Sequence, residues 1–209
     1  MRFAAAAALA AAVALAGCGS GGPLSPARPS APPTVTASLP PDYVPVPTGR
    51  GPRFRLPAAG AAASAGRTIR GLDCRRRHPP SFLIHLELYA ERLVLPVPAG
   101  IGVAAPLERR GAYVLGGRCT YPIRSLSPTG LVRVDGGRPL NLADLFAIWG
   151  QPLGGHRLAG FTAPVNVVVD GRRATGEPGA VRLDRHAEIV VVSGGGVLAH
   201  ARYGFPPSG

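Results

Sequence analysis

SFLIHLELYAERLVLPVP, residues Ser81 to Pro98, is the stretch that decides the fold class of this chain. Phe82, Ile84, Leu86 and Leu88 share one face of an extended segment, and Leu83, His85, Glu87 and Tyr89 share the other. Successive side chains of a strand point to opposite sides, so alternation sustained over this length predicts a half-buried β-strand. Ala90-Glu91-Arg92 reads as a turn, and Leu93 to Val97 as a second strand.

Working outward, short strands are expected at Val103 to Ala105, Ala112 to Leu115, Tyr121 to Arg124 and Leu131 to Val134. Ser125 to Gly130 reads as the turn between the last two, because proline presets φ and glycine supplies a left-handed step. The period then changes. Leu142, Leu145, Phe146 and Trp149 recur at helical spacing, Asn141 with Asp144 forms a capping pair, and Gly150 followed by Pro152 stops the helix. Strands return in APVNVVVDGRRA, which runs into the hairpin dipeptide Asp170-Gly171, and in Glu188 to Val192, a β-branched run suited to a buried strand. The expected architecture is mainly β with one helix, either β-sandwich-like or a small α+β domain.

Upstream the chain is of another kind. Met1-Arg2-Phe3 precedes an apolar run from Ala4 to Ala16, the pattern of a secretory signal and too short for the ~20 residues that span a bilayer. Leu15-Ala16-Gly17-Cys18 resembles the lipobox of bacterial lipoprotein signals. That resemblance implies cleavage before Cys18 and acylation of its sulfur, palmitate included, and of the new amino terminus; an ordinary signal peptide with an incidental cysteine is the alternative. Two or more acyl chains anchor stably where one does not. Gly19, in place of aspartate, favours the outer membrane by analogy with Gram-negative sorting. Residues 18–65 are crowded with proline and alanine and lack apolar periodicity, which predicts an extended tether, with AAGAAASAG (Ala58 to Gly66) as a flexible spacer. The expected organisation is a signal peptide over 1–17, a lipidated Cys18 and tether over 18–65, and one globular domain over 66–209.

All 23 basic residues are arginine, and the formal net charge is +12. In a cytosolic protein such a charge points to nucleic acid. An exported lipoprotein rarely meets any, so the partners expected are the membrane, through the lipid anchor, and an anionic envelope lipid or polymer, with no nucleic acid. The densest basic run, CRRRHPP (Cys74 to Pro80), also reads simply as a solvated surface. With Cys18 acylated, Cys74 and Cys119 remain, and an isolated pair in the oxidising periplasm or exterior is expected as a disulfide bond. Two metal-ligating thiolates are the alternative, without CxxC spacing to support them.

Motifs of catalysis are missing. There is no G-x-S-x-G elbow, H-E-x-x-H, Walker loop or G-x-G-x-x-G. None of His78, His85, His156, His186 and His200 stands in a local metal motif. Glu87 and Asp135 are candidates to meet across strands, or to pair with arginines on the surface.

RCTYPIRSLSPTGLVRVDGG (Arg118 to Gly137), with LNLADLFAIWGQPL and the upstream PVPAGIG, resembles a family of bacterial secreted proteins. Their pattern runs Y-x-L-H-T-H-D-x-x-G-I-I-H-I-E, then F-T-L-G-x-F-F-x-I-W-G-Q-P-L, after an H-x-H strand ending in I-P-A-G-I-G. The resemblance covers most of Leu83 to Gly209, and Ile148 to Leu153 is its most specific piece. Arg124, Leu126 and Arg133 stand at histidine positions of the pattern, Ser127 at its aspartate and Leu83 at the first histidine of H-x-H, while His85 and His186 are retained. If the family's histidines bind a transition metal, most of the ligands are replaced here, since leucine cannot ligate and guanidinium repels a cation. The expected function is therefore a non-catalytic cell-envelope lipoprotein displaying a β-rich domain with a degenerate histidine site, and no cofactor. The alternative is a small-ligand binder, holding a transition metal through His85 and His186 or an anion through Arg124 and Arg133. An enzyme is not expected, because no nucleophile–base pair can be named.

Overall fold

The computed structural model describes Leu56 and residues 60–91, 93–195 and 203–205. The expected signal, the expected acylation site Cys18, nearly all of the expected tether, and His200 lie outside the described residues. In chain order the elements are helix α1 (Ala61–Ser64); strands β1 (Ser81–Ala90), β2 (Leu93–Leu95), β3 (Glu108–Arg110), β4 (Tyr113–Gly116), β5 (Ile123–Arg124) and β6 (Leu131–Asp135); helix α2 (Leu142–Trp149); and strands β7 (Leu153–Gly154), β8 (Arg157–Leu158), β9 (Val165–Val169), β10 (Arg172–Arg173) and β11 (Glu188–Ser193). The domain is mainly β with one substantial helix, as its sequence predicts.

The alternating stretch proves central. Seven strands form one mixed sheet in the order β10-β9-β11-β1-β6-β5, with β2 also on β1. Being ten residues long, β1 serves three partners: Ser81–His85 pairs antiparallel with β6, Leu88–Ala90 antiparallel with β2, and His85–Ala90 parallel with β11. The parallel pairing requires a long crossover, and the chain between β1 and β11 supplies it, including α2. The remaining strands make two small ribbons, β3 with β4 and β7 with β8.

One face of the sheet carries Ile84, Leu86 and Leu88 of β1, Val132 and Val134 of β6, Ile189 and Val191 of β11, and Val165 and Val167 of β9. These residues join Leu142, Leu145, Phe146, Ile148 and Trp149 of α2 in one buried cluster. The helix starts where expected: the Asn141 side chain accepts from the Asp144 N–H, and the Asp144 carboxylate accepts from the Asn141 N–H. It stops at Gly150, whose φ of 75° is the left-handed conformation that closes a helix without a Cβ penalty. Among the described residues no helix is long and apolar enough to cross a membrane.

Two local expectations change. Val103 to Ala105 is no strand; Val103 makes a single bridge to Thr120, because glycine and proline on either side prevent a ladder. Ser193 ends β11 fully buried, with its hydroxyl donating to the Ala163 carbonyl at 3.4 Å. The spacer assigned to residues 58–66 contains α1, whose Ala63 is fully buried in the core, with Leu56 packed against the same cluster. A Cβ on Gly150 would lie 2.7 Å from the Gly60 Cα. Small residues read as a linker by composition, but here their size is what lets two backbones touch, so the folded domain begins before residue 66.

Candidate functional site

The opposite face of the sheet holds the polar residues. Registers place Ser81, Leu83, His85, Glu87 and Tyr89 of β1, Glu188, Val190 and Val192 of β11, and Leu131, Arg133 and Asp135 of β6 together on the side away from α2. Two separate clusters form there.

The first centres on His85. Directly opposite it in the parallel register lies Glu188, and two residues along on the same face lies Glu87. One ligand atom from each of the three comes within 4.8 Å of the others, and the Nδ1 of His85 is 3.6 Å from the Glu87 Oε1. His85 is buried, and its Nε2 is 3.1 Å from the Thr129 carbonyl. A carbonyl only accepts, so the ring carries its proton on Nε2 and turns Nδ1 toward the carboxylates. The contact depends on Gly130, at φ 82°: a Cβ there would sit 2.6 Å from the Leu86 carbonyl oxygen and 2.9 Å from the His85 Nε2. Tyr203 stacks on the imidazole with centroids 4.0 Å apart and planes 14° apart. The Tyr89 hydroxyl donates to the Glu87 Oε2 at 2.6 Å. Burial pushes the Tyr89 phenol well above its ordinary range, with Glu87 adding to the shift, so it remains a donor throughout the neutral range.

The second cluster centres on Asp135. Arg124 Nη1 donates to its Oδ1 at 2.8 Å and to the Tyr121 carbonyl at 3.2 Å, while His78 Nδ1 lies 2.5 Å from its Oδ2. The Nε2 of His78 contacts Thr120 Oγ1 at 2.6 Å and the Arg75 carbonyl at 3.1 Å. Hydroxyl, imidazole and carboxylate in sequence resemble a nucleophile–base–acid chain. Here the Nδ1 faces a carboxylate that only accepts, and the Nε2 is shared between the Thr120 hydroxyl and the Arg75 carbonyl, so the imidazole is tied to the backbone as well as to the hydroxyl. The cluster instead straps the Cys74–Pro80 segment to β5 and β6, beside the Cys74–Cys119 disulfide, whose Cα atoms are 5.5 Å apart. A backbone bridge between Arg75 and Thr120 adjoins the disulfide.

The expected disulfide is thus present, and the other candidate residues are dispersed. Arg124 and Arg133 are direct cross-strand partners, yet Arg124 is buried on Asp135 while Arg133 is exposed, its Nη1 3.2 Å from the Ser81 Oγ. Of the two, Arg133 alone presents an exposed guanidinium. His186 is exposed and stacks on Phe205 at 4.8 Å between centroids; the metal-competent group around His85 is completed by Glu87 and Glu188, not by His186. Glu87 and Asp135 do not meet. Asp135 lies opposite Ser81 at the start of β1, and Glu87 opposite Val190 further along it. Leu126 packs with Ala99, Val103 and Val114 in a small apolar cluster.

No protein-family model, curated protein or solved structure matches this chain.

The sequence singles out Glu87 only as a candidate partner of Asp135, and Glu188 not at all. Glu87 carries a legible signal, since it shares the strand face of His85 at the next alternate position. Glu188 carries none, because only the parallel pairing of β1 with β11 brings it there. His78 was hidden in the basic run, where it reads as solvated; in the fold its side chain is only 12% exposed.

Proposed function

We propose that this chain is a non-catalytic cell-envelope lipoprotein, attached through an acylated Cys18 and displaying its β-rich domain on a proline-rich tether. The observation that carries the non-catalytic reading is the Arg124–Asp135–His78 network. At the heart of the Tyr121–Asp135 motif, the guanidinium that replaces a histidine of the pattern is buried and spent on an internal carboxylate. A motif whose polar residues satisfy one another holds its loops together and offers no ionised group to a substrate.

The disulfide fits an oxidising compartment. An open surface groove lined by Arg75, Arg76 and Arg118, with one carboxylate, Glu108, among them, supports contact with anionic envelope lipid or polymer. The anion reading through Arg124 and Arg133 loses support, because the first of the two is already committed to Asp135. Fractionation of cells expressing the wild type and Cys18→Ser tests the proposal. The wild type is expected with membranes, and the variant released or left unprocessed. A variant that still fractionates with membranes after normal processing overturns it.

A further inference from the structure

We propose that His85, Glu87 and Glu188 form a binding site for a divalent first-row transition metal ion of the zinc class. This goes beyond anchoring and display, and it replaces the His85/His186 pair with a ligand set drawn from two adjacent strands.

The geometry is close to what such an ion needs. Metal–nitrogen and metal–oxygen distances near 2.0–2.2 Å put neighbouring ligand atoms of a tetrahedral ion about 3.4 Å apart. The His85 Nδ1 and the Glu87 Oε1 stand at 3.6 Å, and all three ligand atoms lie within 4.8 Å of one another. Closing the set therefore requires a carboxylate movement of about an ångström, within the reach of one glutamate rotamer. The strands need not move, since His85 and Glu188 are already register partners in the middle of the sheet.

The surroundings hold the ligands as a metal site requires. A ligating histidine normally donates its other ring N–H to a carbonyl or carboxylate, which fixes the tautomer and aims the free nitrogen. Thr129 supplies that carbonyl at 3.1 Å, and the Gly130 backbone leaves room for the ring. A ligating carboxylate is itself commonly hydrogen-bonded, and the Tyr89 hydroxyl does this for Glu87 at 2.6 Å. The Tyr203 ring roofs the imidazole and limits its rotation.

The donor set indicates the ion. One imidazole nitrogen disfavours magnesium and calcium, which take oxygen ligands, and no thiolate is offered to a soft ion, since Cys74 and Cys119 are joined to each other. Nitrogen with carboxylate oxygen suits zinc, cobalt(II) and their neighbours. Three protein ligands leave a fourth position for water or an external donor.

The test uses the full-length chain in mild detergent, without a polyhistidine tag and stripped with chelator. It is titrated calorimetrically with zinc chloride, and with cobalt(II) chloride while visible absorption is recorded. One ion per chain is expected, with cobalt bands of a low-coordinate nitrogen–oxygen site and no displacement by excess magnesium. Glu87→Gln and Glu188→Gln keep side-chain volume and should each abolish stoichiometric uptake. Tyr89→Phe, which leaves the ligands in place, should weaken binding by about tenfold. His186→Ala should bind as the wild type does. Absence of stoichiometric uptake by the wild type overturns the proposal, as does uptake unchanged in both folded glutamine variants. Loss on His186→Ala with both glutamine variants intact would overturn it in favour of a site around His186. Membrane fractionation is read separately, so failure here leaves the anchoring result untouched.

Discussion

Arg124 and Asp135 meet at the β5–β6 end of the sheet as a buried ion pair, Nη1 to Oδ1 2.8 Å, with side chains 10% and 6% exposed. Removing one partner of such a pair strands a charge away from water, which costs more than the pair itself contributes. Asp135→Asn is expected to destabilise the domain by about 3 kcal/mol, because Arg124 and His78 both lose their carboxylate. Urea unfolding of the two proteins measures this. A midpoint unchanged within error would mean that the network contributes nothing to the fold.

The disulfide closes a loop with a sequence separation of 45 residues. Chain-entropy arithmetic for a loop of that length gives about 4 kcal/mol. Alkylation without reduction should label neither Cys74 nor Cys119, and reduction should lower the unfolding midpoint markedly. Labelling of either thiol in the unreduced, folded protein would contradict the pairing.

Three of the five tyrosines, Tyr89, Tyr121 and Tyr203, have phenols raised above their ordinary range, in each case first by burial. The unfolded chain ionises its tyrosines near 10. Their contribution to stability is therefore complete below that pH and declines as the pH rises from about 10 toward the higher folded values. Absorbance at alkaline pH should show these three ionising at higher pH in the folded protein than in the unfolded chain. Reversible ionisation of all tyrosines near 10, with the fold intact, would refute the burial.

Ala63 belongs to the core and Leu56 packs against it, although their segment has the composition of a spacer. A chain beginning at residue 67 is expected to be less stable than one beginning at residue 56 by about 2 kcal/mol or more, from lost apolar burial and the exposed side of α2. Equal thermal midpoints for the two would show that α1 contributes nothing to stability.

Local patterns carried much of this protein. Alternation from Ser81 to Ala90 foretold β1, the Asn141–Asp144 box and Gly150 foretold both ends of α2, and Asp170-Gly171 foretold the β9–β10 turn. Each is set by interactions within a few residues, which is why the amino-acid order alone determines them. The Cys74–Cys119 pair was readable for a different reason, since the lipobox-like setting of Cys18 sets that residue apart and pairs the other two.

Side-chain companionship followed other rules. Glu188 comes beside His85 only because β1 and β11 run parallel across a long crossover, and a register shift of one residue would send the carboxylate to the opposite face. Arg124 and Arg133, which look equivalent in the sequence, part company because Asp135 can reach only the inner of the two. The small-residue segment reads as a spacer for want of the surface it packs on; in the fold Gly60 lies directly against Gly150 and Ala63 is buried in the core. Strand periodicity says which face a residue occupies, and it contains no information on which distant strand lies alongside. That choice is made by burial summed over the whole sheet, so the sequence determined the elements and the tertiary structure decided the site.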